Sequence, residues 1–117
     1  MSFFERANFD AFTTGLAGVT LVDQWGSRVA KVGDKVFAVL NDDGAKIAFK
    51  VSEESFEILT ALDGVGQAPY FAKRKWVAAS STAALSDAEV RHYLKRSYDL
   101  VAAGLTKKLR ADLGIPV

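Results

Sequence analysis

The chain has 117 residues, 50% hydrophobic and 25% charged, a balance ordinary for one folded domain and unlike that of a disordered segment. It contains no cysteine, which excludes disulfides, thiolate nucleophiles, redox pairs and cysteine-bound zinc outright. The net charge of +1 and pI near 8.0 fall short of a dedicated nucleic-acid binder, but the charge is uneven: residues 1–25 and 52–65 are net acidic, whereas 26–51, 66–85 and 86–117 are net basic.

No stretch approaches the roughly 18 consecutive apolar residues of a membrane span. Residues 12–22 are mildly apolar, yet Glu5 and Asp10 precede them where a secretory signal carries positive charge, so they read as folded structure in a cytoplasmic protein with no membrane partner. The spacing of Phe9, Phe12 and Leu16 predicts a helix over 4–16, closed by Gly18. Residues 20–23 extend as a short strand, and Trp25-Gly26-Ser27 marks a turn or bulge.

Residues 28–32 and 35–41 predict two strands joined by Gly33-Asp34, a two-residue loop whose positive φ matches hairpin twist. Asn41-Asp42-Asp43-Gly44 supplies the next turn. Residues 46–51 then alternate, with Ile47, Phe49 and Val51 inward and Lys46 and Lys50 outward, which completes a three-stranded meander. Residues 36–40 are apolar on both faces, so their strand belongs away from the sheet edge with its second face partly covered.

Ser52 followed by Glu53 and Glu54 predicts a short helix with Phe56, Leu59 and Leu62 on one face, ending near Asp63-Gly64. Residues 68–71 and 76–80 read as two more strands around Lys73-Arg74-Lys75, with Pro69 confining the first to an edge or a strand start. Ser86-Asp87-Ala88-Glu89 is a capping box opening a long helix. Its inner stripe is Val90, Tyr93, Leu94, Ser97, Val101 and Leu105. Thr106 caps a last helix carrying Lys107, Lys108, Leu109, Arg110 and Leu113, stopped by Gly114 and Pro116. This order predicts an α+β fold: a two-layer sandwich of one largely antiparallel sheet with helices packed on one face, forming a single domain over 1–117.

Catalytic chemistry finds little support. His92 is the only imidazole, with no companion placed for a triad and no G-x-S-x-G elbow. A second His, a Cys or a spaced carboxylate set for a metal is lacking, and the glycines form no phosphate loop. The expectation is a non-enzymatic chain with no cofactor and no metal. Asp42 and Asp43 are turn formers, and Glu53, Glu54 and Glu57 suit a helix start and a solvated face.

Three blocks, taken together, carry a resemblance: KVGDKVFAVL at 31–40, Ala68-Pro69-Tyr70 running into Lys73-Arg74-Lys75-Trp76-Val77, and Thr106-Lys107-Lys108-Leu109. In order and spacing the chain resembles the MmcQ/YjbR family over about residues 9–113. That resemblance implies a frataxin-like topology and a double-wing motif of the kind described as predicted to bind DNA. Frataxin-like shape does not bring iron with it, since acidic ridges serve that purpose and the first helix offers only Glu5 and Asp10. Two departures stand out: Tyr70-Phe71-Ala72 replaces a Gly-Tyr pair common among relatives, and the hairpin over 35–50 is short.

The best functional candidate in the residues themselves is Lys73-Arg74-Lys75 with Trp76 beside it, cations for phosphates next to an indole for an unpaired base. Arg28, Lys31, Lys35, Lys46 and Lys50 tip the strands, and Lys107 and Lys108 the last helix, so several loops could straddle a nucleic-acid backbone. The bland reading is a core Trp76, a solvated loop and strand-edge lysines that deter aggregation. The function expected is DNA binding through phosphates by a monomer. The alternative is a protein-interaction or small-ligand module on an aromatic sheet face bearing Trp25, Tyr70 or Phe71.

Overall fold

A computed structural model describes residues 2–41 and 43–116, so Asp42 of the second turn lies outside the described residues. The elements are α1 (Arg6–Thr14), β1 (Val19–Gln24), β2 (Ser27–Val32), β3 (Lys35–Asn41), β4 (Lys46–Lys50), α2 (Glu53–Thr60), β5 (Val65–Gln67), β6 (Trp76–Ser80), α3 (Asp87–Ala102) and α4 (Lys107–Asp112). The six strands pair antiparallel throughout in the order β1-β2-β3-β4-β6-β5. Helix α3 crosses β2, β3 and β4, with α1 against β1 and α2 against β5 and β6. The result is the α+β sandwich that the residue pattern predicts.

The meander has four strands rather than three. Trp25-Gly26 is itself a two-residue hairpin loop, with φ of 55° and 69°, like Gly33-Asp34 with φ of 56° and 65°. Positive φ at both central residues is the geometry that lets a tight loop follow the strand twist. A second correction concerns 68–71. The strand there lies three residues earlier, as β5, because Pro69 has no N–H for a ladder and Tyr70 takes a φ of 69°, which ends extension.

Inward positions of every strand meet the helices in one core around Phe9, Phe37, Phe49, Leu40, Ile47, Leu59 and Leu94. Full burial of each such side chain contributes about 1.5–3 kcal/mol. The helices start where the sequence places caps: Ser52 accepts from Ser55 N–H, Thr106 from Leu109 N–H, and Ser86 and Glu89 exchange both bonds of the capping box.

In the centre of the sheet the β2–β3 register shifts between Ala30 and Lys31. Phe37 is the extra residue of this bulge, so Phe37 and Ala38 both reach the core. Beyond it β3 and β4 no longer pair. Ser97 of α3 occupies the gap, its hydroxyl donating to the Phe37 carbonyl at 2.6 Å and accepting from Lys50 N–H at 2.8 Å.

Candidate functional site

Since Ala30, Ala38, Leu40, Ile47, Phe49, Val77 and Ala79 face the helices, their neighbours along each strand face the other way. Register arranges these outward residues in rows. The middle row runs Val22, Val29, Val39, Ala48, Ala78, Gly66, apolar throughout and small at the β4–β6–β5 side. On one side of it lie Gln24, Ser27, Asn41, Lys46 and Ser80, and on the other Thr20, Lys31, Val36, Lys50 and Trp76. This helix-free, open face, on which Val29 and Val39 are nonetheless buried, carries the half-buried Lys31 and Lys50 and the exposed Lys46, and its rows contain no Asp or Glu.

A concavity of about 320 Å³ sits on this face over Ala48 and Ala78, with Ser27, Asn41 and Lys46 on one side and Ala68, Pro69 and Tyr70 on the other. Trp25 also borders it. The two aromatics are the most exposed large apolar side chains described, Trp25 at 73% and Tyr70 wholly in solvent. Both occupy backbone that their residue types disfavour. Trp25 stands where a two-residue hairpin prefers Asn or Gly, and Tyr70 follows Pro69 in a turn closed by Phe71 N–H to the Ala68 carbonyl, at the position usually given to Gly.

The loop that presents Tyr70 is tied down by one side chain. The Gln67 amide nitrogen reaches the carbonyls of Ala68 at 2.9 Å and of Phe71 and Ala72 at 3.3 Å, while its oxygen accepts from Arg74 N–H at 2.9 Å. Trp76 lies under this loop, stacked on Phe71 and 8% exposed, so its indole offers little surface to a ligand.

The basic side chains divide. Antiparallel pairing brings the Gly33-Asp34 loop, the end of β4 and the start of β6 to the same end of the sheet. Register puts Lys31, Lys35, Lys50 and Lys75 at that end, with Lys73 in the loop leading into β6. Helix α4 joins them, because Leu105 and Leu109 pack on Gly33 so closely that a Cβ there would lie 2.8 Å from Leu105, and this carries the exposed Lys107 and Lys108 to that end. Acids are present too, with Asp34 in the turn and Glu53 and Glu54 opening α2.

Two arginines turn elsewhere. Arg74 pairs with Glu57 and lies 5.6 Å over the Phe56 ring, on the α2 side. Arg28 faces the helix layer, donating to both oxygens of Asp10 at 3.1 Å and approaching Asp23 at 3.4 Å. The Asp10 bonds raise its pKa above the ordinary arginine value. Asp23 in turn is held below the usual carboxylate range, chiefly by the hydrogen bond from Arg6. Lys46 remains exposed at the far end of the open face, beside the concavity.

His92 is exposed on α3, its ring edge-on to Tyr93. Among the described residues no group of three or more His, Asp or Glu side chains is placed to hold a metal, and no helix is long and apolar enough to cross a membrane. Sequence reasoning missed Ser27, Asn41 and Gln67, whose polar groups border the concavity or anchor its rim. Their signal lies only in strand register.

A model of the YjbR family matches residues 14–100. The chain belongs to the YjbR family. Among solved structures, this YjbR chain is similar to the Deinococcus radiodurans protein DR2400, a DUF419 domain, with a TM-score of 0.85 and 22% identity over 95% of this chain and 88% of that one. A protein from Pseudomonas syringae is similar with a TM-score of 0.67 and 19% identity, over 82% of this chain and 97% of its own. At such identities the likeness is one of fold. No curated protein matches the YjbR chain.

Proposed function

We propose that this YjbR protein is a non-enzymatic, monomeric cytoplasmic binder of nucleic acid that holds phosphates on its open sheet face and the adjoining basic end. The observation that carries the reading is the set of three lysines, Lys31, Lys46 and Lys50, on sheet rows free of Asp and Glu. Lysines with no acid among them focus a positive potential that a near-neutral net charge conceals. Lys35, Lys73, Lys75, Lys107 and Lys108 add positive charge at one end, where Asp34, Glu53 and Glu54 offset part of it. Arg28 and Arg74 are left out, since each already has a carboxylate partner.

Fluorescence anisotropy with labelled oligonucleotides tests the reading. If about three phosphates are neutralised, log K falls against log salt with a slope of about −2.7, a loss of roughly fortyfold between about 50 and 200 mM. Lys46→Ala with Lys50→Ala reduces both affinity and slope. Absence of binding at 50 mM salt, or binding indifferent to those substitutions, overturns it. A second reading, a protein or small molecule seated in the concavity, is favoured by the exposure of Trp25 and Tyr70, and it separates from the first by binding that salt leaves unchanged.

A further inference from the structure

Phosphate contacts alone do not explain why two aromatic side chains stand in solvent at either side of one concavity, each on a backbone that favours a smaller residue. We infer that the open face takes a single strand, with unpaired bases stacking on Trp25 and Tyr70 while Lys31, Lys46 and Lys50 track its phosphates. The inference rests on the nucleic-acid reading above and specifies its substrate.

A positive φ in a non-glycine residue costs free energy, and such cost concentrates at binding sites. An ordinary turn here needs no indole. Exposed rings are of use to a partner that offers flat faces, and a duplex hides the faces of its bases within the stack, whereas a single strand presents them. The floor suits this as well. Ala48 and Ala78 leave a shallow apolar depression, about 320 Å³ in volume, that admits flat groups. Lys46 stands at its edge, and Ser27 and Asn41 border it with groups able to meet a base edge. Trp76 is the other indole in the chain, and with 8% of its surface exposed it cannot serve as the platform.

The test compares three fluorescein-labelled probes of equal length at about 50 mM salt: an oligo-dT, a duplex, and a strand whose sugars are abasic but whose phosphates are intact. The single strand should bind tightest. Trp25→Asn and Tyr70→Gly suit the backbone at their positions, so both variants fold, and circular dichroism checks this. Each should weaken oligo-dT binding roughly five- to 150-fold, the range expected for loss of one base–aromatic stack, while leaving the duplex and abasic probes unchanged. Oligo-dT should also quench tryptophan emission in the parent and not in Trp25→Asn. Equal affinity for all three probes, indifferent to both substitutions, overturns the single-strand inference and leaves the phosphate reading standing. Failure of all three probes to bind overturns both.

Discussion

The indole of Trp76 stacks on the phenyl ring of Phe71 with centroids 4.2 Å apart and planes inclined by 21°. Such a pair contributes about 0.5–1.5 kcal/mol beyond area burial. Because Phe71 is half-buried, Phe71→Ala should cost about 1–2 kcal/mol, short of a full core truncation. Trp76 loses its cover, so its emission should move to longer wavelength in the variant. An unchanged spectrum and denaturation midpoint would show that the stack contributes nothing.

Ser97→Ala removes the hydroxyl that serves both Phe37 and Lys50. Two backbone groups beside the bulge then lose their partner in a buried setting, at a cost of about 1–3 kcal/mol. Chemical denaturation measures this, and amide exchange at Lys50 should accelerate. Stability equal to the parent would mean that the strands close the gap themselves.

The turn residues predict a gain in stability. Trp25→Asn places at a φ of 55° a residue that tolerates it, so the variant should be more stable by about 0.5–1 kcal/mol even as ligand binding weakens. Thermal unfolding of parent and variant decides the matter. A lower Tm for Trp25→Asn would mean that the exposed indole packs favourably in solution.

Acid should weaken the fold through Asp23 and Glu89. Arg6 lowers the pKa of Asp23, and the backbone N–H of Ser86 lowers that of Glu89. Each carboxyl is therefore more acidic folded than unfolded, so its stabilisation is complete above the ordinary carboxylate pKa and drains away as pH falls through the lowered folded value. Urea midpoints from pH 6 to pH 3 should decline less in Asp23→Asn and Glu89→Gln than in the parent, with both variants weaker at pH 6. Parallel profiles would refute the linkage.

Much of the architecture is legible in the residues because local chemistry and tertiary structure agree. Gly33-Asp34 requires a positive-φ hairpin loop, and Ser86 with Glu89 requires a helix start, whatever surrounds them. β5 was hidden because Val65-Gly66-Gln67 is too short to show a period and contains a glycine. Trp25-Gly26-Ser27 reads as a turn or bulge, but an indole at the first loop position masks the Asn-Gly signature that would mark a two-residue hairpin. The site was less legible than the fold. Charge along a chain does not reveal that Arg28 turns to Asp10 and Arg74 to Glu57, or that Lys31, Lys46 and Lys50 share a face, since only register settles which side a strand residue takes.

Gln67 fixes the shape of the Tyr70 loop before any partner arrives. On the proposed nucleic-acid reading, this loop then has little ordering entropy of its own to lose on contact. Association should proceed at a pace set by diffusion and by the long-range pull of the lysines. On that reading, discrimination among partners should reside mostly in dissociation: a poor match arrives as fast as a good one and leaves sooner.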